Sequence, residues 1–419
     1  SCMETGLARA SRVRVPLRSE STHEECTSKA ASERTRMDHD WPGNSSDAAL
    51  RCLRLTTPTL HLRYPLDAEA HYEEIRTALA PWRQDAPGFQ RHSAAGYNGP
   101  WLENAWISHF EQRWKVAHAR GQPLHSVFGS LIPIMLPWTD LWVRNNFHYP
   151  AELLPALRKM LRPSVPYVTV VQNDEGLEGK GELKMASVPN ILVISSGGYG
   201  HVPVPLLKQS ESPRAAPPMR ERPLFVSFLG SLGTAPHNLR ARMRDAVASA
   251  ANTSHFEYSV TMGLKPSWAS LLLPWPLDRL VSWYAGKPSW RDVMSHSQLS
   301  LCPRGFGRSS YHLSETVQMG RVPLYVYDDT AWVPYERLFK QEIGLVVDVD
   351  GLDALLRHLH AAPGTGAELE KRERAALRLR KSHFSLDGVI TQIGRFLTAP
   401  HSADLQCRPL PPSRCGGCG

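Results

Sequence analysis

The chain has 419 residues, 42% of them hydrophobic and 21% charged, which is typical of a soluble globular protein with room for two domains. This length excludes a small disulfide scaffold, and no apolar run approaches the roughly 20 residues that a membrane helix needs. The net charge of +8 is compatible with an anionic partner. Much of the excess positive charge lies in a basic leader and around residues 371–381. This distribution favours a solvated surface over a binding site for an anionic partner. With no recognised binding motif, we expect no nucleic-acid partner.

Both ends of the chain lack hydrophobic periodicity. Residues 1–60 are polar and basic, and residues 399–419 are rich in proline, glycine and cysteine, so we expect a disordered leader and a disordered tail. Most of the seven cysteines lie in these ends and do not predict a disulfide framework. Cys415 and Cys418 have the spacing of a metal-ligand pair, but no second pair follows, so we predict no metal site.

The first ordered region is predicted over residues 61–210. Ile107, Phe110 and Trp114 recur at helical spacing and predict an amphipathic helix over Glu103–Arg120. Further along, the pattern predicts a helix at Ala151–Leu161 and strands at Val127–Leu136, Tyr167–Val171 and Asn190–Ser196. Because each strand ends in a polar or glycine-rich turn, with helical stretches between strands, the pattern indicates a parallel sheet of βαβ units.

A second α/β region is predicted over residues 211–398, after a proline-rich linker at Lys208–Pro223. Its predicted strands are Leu224–Leu229, Phe256–Met262, Leu299–Cys302, Val322–Tyr327 and Gly344–Val349. Its predicted helices are Asn238–Ala251, Ser289–Ser295, Tyr311–Met319 and Leu352–His360. We therefore expect an α/β fold of two Rossmann-like lobes facing a cleft, which is where open parallel sheets bind ligands.

A loop rich in glycine and arginine, Pro303–Ser310, joins a predicted strand to a predicted helix. The free N–H groups and the dipole at the start of a helix favour negative charge by roughly 0.3–1 kcal/mol. Gly305 and Gly307 would let the backbone approach a diphosphate, and Arg304 or Arg308 could add a charge-assisted contact. This pattern by itself fits any nucleotide or phosphate binder.

Glu315 makes the pattern more specific. It shares one helical face with His312 and Met319, because these residues are three and four positions apart. A carboxylate one turn inside a helix whose start holds phosphates is placed to accept hydrogen bonds from ribose hydroxyls. A solvent-facing helix glutamate explains the same position equally well.

At residues 290–335 the chain resembles the exostosin family of glycosyltransferases. The family pattern begins with Met and Ser before an apolar strand, followed by Pro-x-Gly and a helix that starts Ser-x-Arg-x-x-Glu. After that helix come a glycine, a strand with an apolar residue and Pro, then Asp, and finally Leu-Pro-Phe. The corresponding segments here are Met294–Gly305, Ser310–Glu315, Gly320–Asp329 and Trp332–Tyr335. His312 stands where the family has an arginine that is expected to help hold the donor diphosphate. A mostly neutral histidine could replace it only in part.

The resemblance implies a fold of the two-lobe GT-B type and an inverting transfer of a sugar from a UDP-sugar to a glycan or glycoprotein hydroxyl, with no metal cofactor. Residues implied in donor binding are Arg240, Arg304, Gly305, Ser309, Ser310, His312, Glu315 and Asp329. The alternative is a catalytically inactive glycan- or nucleotide-binding module of the same fold. The expected location is the Golgi or secretory-pathway lumen, with membrane attachment only through an anchor outside this chain.

An inverting transfer needs a base that deprotonates the acceptor hydroxyl, and it should lie on a first-lobe loop facing the cleft. The available groups are Asp140, Asp174, Glu175 and His201, with Glu103 more remote. We favour Asp174 because it follows a strand end, although an Asx turn also explains it. A metal-binding Asp-x-Asp at 348–350 is rejected, because too little chain follows it to form an acceptor half.

Overall fold

The computed structural model describes residues 48–92, 100–261 and 289–411. In these three ranges, no helix has both the length and the apolar character needed to cross a membrane. The described chain contains two separate parallel sheets, and both belong to one compact unit.

The first sheet has the strand order β1-β2-β3-β4, with every pair parallel. Its strands are β1 Ile132–Pro133, β2 Tyr167–Val171, β3 Ile191–Ser195 and β4 Val202–Pro203. All residues of β2 and β3 are buried, as expected for central strands of a sheet that is covered on both faces. The first-lobe helices are α1 Ala48–Thr56, α2 Ala68–Ala78, α3 Leu102–Ala119, α4 His125–Phe128, α5 Trp138–Arg144 and α6 Leu153–Met160.

The second sheet has the order β6-β5-β7-β8-β9 and is also parallel throughout. Its strands are β5 Leu224–Leu229, β6 Tyr258–Thr261, β7 Ser297–Pro303, β8 Pro323–Tyr327 and β9 Leu345–Asp348. The helices are α7 Leu239–Ser254, α8 Trp290–Ser295, α9 Tyr311–Gln318, α10 Glu336–Leu338, α11 Leu352–Ala361, α12 Thr365–His383 and α13 Leu386–Thr398. The predicted α/β fold with two Rossmann-like lobes is therefore confirmed.

One predicted strand is wrong. The apolar run Val127–Leu136 forms α4 and then only the two-residue β1. Gly129 divides the run, with φ +60° and a position where a Cβ would lie 2.1 Å from the carbonyl oxygen of Leu397. The close approach of α13 therefore requires glycine here.

The last helix contacts both lobes. Helix α13 packs against α1, α3 and α4 and also against α12, so the predicted second region at residues 211–398 ends in a helix that joins the core of the first lobe. The expected disordered ends are also wrong over part of their length. Residues 48–56 form α1, and Cys52 is joined by a disulfide to Cys407, with their Cα atoms 5.2 Å apart. Leu53 and Leu405 are buried in the same hydrophobic core.

Candidate functional site

Loops that follow the carboxyl ends of β2, β3 and β7 meet between the two sheets. After β2, the carboxylate of Asp174 accepts a hydrogen bond from the backbone N–H of Gly307. After β3, the carbonyl oxygen of Ser196 accepts one from the hydroxyl of Ser309. We call this contact of residues 172–174, 196–198 and 307–309 the lobe junction. Its position at strand ends is the usual one for ligand sites in open parallel sheets.

Glycines bring the two backbones together at the lobe junction. A Cβ on Gly307 would lie 2.0 Å from the carbonyl oxygen of Gly197, and one on Gly198 would lie 2.2 Å from the nitrogen of Arg308. Gly305 donates its N–H to the carbonyl of Ser309 at 2.8 Å. The glycine loop therefore packs against the first lobe, and the N–H groups of Gly305 and Gly307 both have protein acceptors, the carbonyl of Ser309 and the carboxylate of Asp174. In this structure these two N–H groups are not open to a diphosphate.

Arg304 is the most buried residue of the glycine loop, with no exposed surface. Its Nε donates to the carbonyl of Gly307 at 3.1 Å, and its Nη2 donates to the carbonyl of Phe306 at 3.1 Å. Its Nη1 contacts Asp328 at 2.8 Å and Asp329 at 2.6 Å. Its guanidinium thus holds the loop and the end of β8 together, and the predicted contact of Arg304 with a donor stays a prediction.

Asp329 also pairs with Arg308, whose Nε lies 2.8 Å from its second carboxylate oxygen. The flanking arginines lower the pKa of Asp329 against the opposing effect of burial. Arg304 and Arg308 thus face Asp328 and Asp329, so this group has no net positive charge to offer a diphosphate. Asp329 is an ion-pair partner of both arginines here, and its predicted contact with a donor stays a prediction.

Arg240 lies on α7 and donates to backbone carbonyls. Its Nε and Nη2 each lie 3.1 Å from the carbonyl oxygen of Arg304, and its Nη1 lies 2.7 Å from that of Ser231. The guanidinium stands 5.4 Å from the ring centre of Phe228. Burial lowers its pKa to about 10. No carboxylate pairs with it in the described ranges, and its Nε, Nη1 and Nη2 all donate to backbone carbonyls.

A cavity of about 180 Å³ lies beside α9. We call it the Glu315 cavity. It is lined from α9 by His312 and Glu315, and from elsewhere by Lys208, Gln209, Glu211, Leu229, Trp290 and Arg291. Of the predicted donor-binding residues, only His312 and Glu315 line it. A larger cavity of about 690 Å³ runs along α3, but no carboxylate lines it and it lies away from the strand ends.

Ser310 and His312 position the start of α9. The hydroxyl of Ser310 caps the helix by accepting from the N–H of His312 at 3.3 Å, which satisfies one of the free donors at a helix start. The His312 ring lies 3.2 Å from the hydroxyl of Ser300, and its Nδ1 lies 3.8 Å from the Glu315 carboxylate. Trp290 packs against the same ring at 5.9 Å. These contacts fix the wall of the Glu315 cavity.

Among the candidate bases, Asp174 combines a position between the lobes with a shifted pKa. Burial raises its pKa to about 6, against the hydrogen bond from Gly307, which lowers it. A base with a pKa near the working pH is effective in proton transfer. Burial also raises the pKa of Glu175, and one of its carboxylate oxygens is buried without a hydrogen bond.

The other candidates are held inside the first lobe. His201 is buried, its Nδ1 accepts from the N–H of Val193, and burial lowers its pKa to about 4. Asp140 is buried and accepts from the amide of Asn104 at 2.9 Å. Glu103 is fully buried, and burial raises its pKa to about 8. These three residues stabilise the lobe and do not meet the second lobe.

Sequence reasoning missed the residues that complete the Glu315 cavity. Lys208 and Glu211 lie in the predicted linker, and the sequence gives no sign that this segment returns to α9. Trp290 and Arg291 begin the motif region. Trp290 packs on His312, and Arg291 contacts Glu211 of the linker through Nε at 2.8 Å. Only a tertiary contact could identify them. In the described ranges, no cluster of His, Cys, Asp or Glu could hold a metal ion.

No protein-family model and no curated protein matches this sequence. Among solved structures, the crystal structure of TarM is similar with a TM-score of 0.33 and 8% identity, over 58% of this chain and 52% of that one. The crystal structure of the GtfA/B complex has a TM-score of 0.30 and 13% identity, over 55% of this chain and 45% of that one. The chain thus spans about half the length of each. Similarity this low assigns no activity, and the exostosin resemblance stays a prediction from residues 290–335.

Proposed function

We propose that this protein is an inverting glycosyltransferase that moves a sugar from a UDP-sugar to a glycan or glycoprotein hydroxyl. The observation that carries the proposal is the Glu315 cavity, where a carboxylate lies one turn inside a helix that follows the central strand β7. A carboxylate in that position suits the two hydroxyls of a ribose. The pattern of residues 290–335 supports the same proposal. Complete ligand sites have volumes of about 300–1,000 Å³, so the smaller Glu315 cavity would hold only part of the donor.

The proposed reaction forms one bond and breaks one. The acceptor oxygen attacks the anomeric carbon, the bond from that carbon to the UDP phosphate breaks, and UDP leaves with the electron pair. Asp174 takes the acceptor proton, a role for which its pKa of about 6 is suited. The start of α9 would stabilise the leaving diphosphate. We propose that no metal is needed, so that turnover in excess EDTA would stay within a few-fold of its original rate.

The disulfide between Cys52 and Cys407 supports the proposed location in the secretory-pathway lumen. Disulfides persist in oxidising compartments and are rare in reducing ones.

Calorimetric titration with UDP tests the proposed donor site. Wild-type protein should bind UDP, and Glu315→Ala should bind about ten- to hundred-fold more weakly, because the ribose hydroxyls lose a charged hydrogen-bond acceptor. Glu370→Ala on α12, which is remote from the cavity, removes the same charge and should leave the affinity unchanged. No binding of UDP by the wild type, or equal affinities for wild type and Glu315→Ala, would refute the assignment.

One contact favours the alternative of an inactive binding module. The Asp174 carboxylate is already occupied by the N–H of Gly307, within a closed lobe junction. Release of UDP from a panel of UDP-sugars separates the two functions. Turnover that requires Asp174 supports the enzyme, whereas tight UDP-sugar binding without any turnover supports the module.

A further inference from the structure

The linker between the lobes forms one wall of the Glu315 cavity. Glu211 is held on α9 by its backbone N–H, which donates to the side-chain oxygen of Gln318 at 2.9 Å. Its carboxylate is held on α8 by Arg291. Farther along, Arg214 pairs with Asp292 at 2.5 Å. The segment predicted as a linker is therefore fixed to the second lobe, and its first residues have a defined position in the cavity.

The charges that line the Glu315 cavity are not all paired. Arg291 and Glu211 neutralise one another through two nitrogen–oxygen contacts, so they contribute no net charge. Glu315 lies 3.8 Å from His312, a contact that is ionic only when the histidine is protonated, and it also interacts electrostatically with Arg291, which Glu211 already pairs. In the part of the chain that the structure describes, Lys208 is the lining cation for which no carboxylate partner is found. It is partly exposed and faces the same space as Glu315.

The cations of the glycine loop cannot replace Lys208 in this cavity. Arg304 and Arg308 do not line it, and both are paired with Asp328 and Asp329. Arg240 keeps its charge but also lies outside the lining residues. The cavity thus combines an acceptor for hydroxyls with one free ammonium group. This combination is complementary to a molecule that carries both sugar hydroxyls and phosphate oxygens.

We propose that Lys208 binds the diphosphate of a nucleoside diphosphate sugar and supplies the positive charge that the glycine loop lacks. This inference rests on the proposed function and extends it to a residue of the linker. Lys208 directly follows Leu207, which is buried in the core that includes the first lobe. A ligand held by Lys208 and Glu315 would therefore lie between the interlobe segment and α9.

Calorimetry with UDP and with uridine tests this role, because the two ligands differ only in the diphosphate. Lys208→Ala should weaken UDP binding about ten- to hundred-fold and leave uridine binding unchanged. Lys208→Arg should retain most of the UDP affinity, since it keeps the charge. Lys159→Ala on α6 removes an exposed lysine elsewhere and should change neither affinity.

The outcomes separate this inference from the proposed function. If wild type binds UDP and Lys208→Ala binds it equally well, the inference is wrong and the proposed function stands. If Lys208→Ala weakens UDP and uridine by the same factor, the lysine supports the cavity wall only, and the inference is again wrong. If the wild type binds no UDP, both fail.

Discussion

The carboxylate of Asp174 accepts a hydrogen bond from the backbone N–H of Gly307, so a first-lobe residue at the end of β2 contacts the glycine loop of the second lobe. The contact is close, since a Cβ on Gly307 would lie 2.5 Å from Oδ1 of Asp174. A glycine that was expected to make room for a phosphate thus makes room for the other lobe. Packing between the lobes therefore requires glycine at position 307.

Gly307→Ala should lower the free energy of unfolding by about 1–3 kcal/mol, because the added methyl group has no space against backbone atoms. The nearest of these atoms, the carbonyl oxygen of Gly197, would lie 2.0 Å from the new Cβ. Urea unfolding measures the change. Gly305→Ala is the matched control in the same loop, because its Cβ would meet only the carbonyl of Ser309, at 3.4 Å. Equal losses in the two variants would show that the lobe junction is not tightly packed in solution.

Asp174→Asn should remove a pH dependence of stability. Burial raises the pKa of Asp174 from 3.8 to about 6, so the folded protein holds this proton more tightly than the unfolded chain. The resulting stabilisation is complete below about pH 4 and is lost as the pH rises through about 6, by up to about 3 kcal/mol. Unfolding measured at pH 4 and at pH 7 should show this loss in the wild type and a smaller loss in Asp174→Asn. The same loss in both proteins would contradict the raised pKa.

The same substitution tests the proposed base. In the wild type, kcat/KM should rise with pH through about 6, because only the ionised carboxylate accepts the acceptor proton. Asp174→Asn should reduce turnover about 10²–10⁴-fold and remain folded at neutral pH, since the amide oxygen can still accept from Gly307. A folded Asn variant with full turnover would move the base to another residue.

Reduction of the disulfide between Cys52 and Cys407 should destabilise the fold. The bridge closes a loop across a sequence separation of 355 residues and fastens α1 to the C-terminal segment. Opening a bridge of this kind costs about 2–4 kcal/mol. Thermal unfolding with and without dithiothreitol measures the loss in the wild type. The double variant Cys52→Ser/Cys407→Ser should unfold earlier and show no further effect of the reductant, and an effect of equal size there would point to a different target.

The parts of the fold that depend on local sequence could be predicted. Strand β7, the glycine loop and α9 follow one another closely, and Ser310 is a strong N-cap residue, so the unit was recognisable without tertiary information. The position of Glu315 on α9 follows from helical spacing alone. Its place in a cavity with His312 agrees with the shared face that the sequence predicted.

The pairing of charges and the path of the chain ends could not be predicted in the same way. Arg304 is neutralised by Asp328 and Asp329, which lie beyond the next helix and at the end of the next strand. The sequence of a glycine-rich loop does not reveal whether its arginine faces a phosphate or a carboxylate. The partner of the arginine can be identified only from the structure. Helix α13 is amphipathic, but the lobe that receives its apolar face depends on contacts across most of the chain.

The double variant Lys208→Ala/His312→Arg tests whether these two positions contribute the same charge to the Glu315 cavity. Both side chains line it, and His312 already lies 3.8 Å from the Glu315 carboxylate. An arginine at 312 restores the exostosin pattern and provides a permanent cation beside the proposed diphosphate. His312→Arg alone should therefore keep or improve UDP affinity. In the double variant it should recover most of the about ten- to hundred-fold loss caused by Lys208→Ala, as expected for residues that share a ligand contact.

Calorimetry of the two single variants and the double variant completes the cycle. If the changes in UDP affinity from the two substitutions instead simply add, Lys208→Ala causes the same loss with Arg at 312 as with His. In that case the two positions do not contact the same phosphate, and Lys208 acts elsewhere in the cavity.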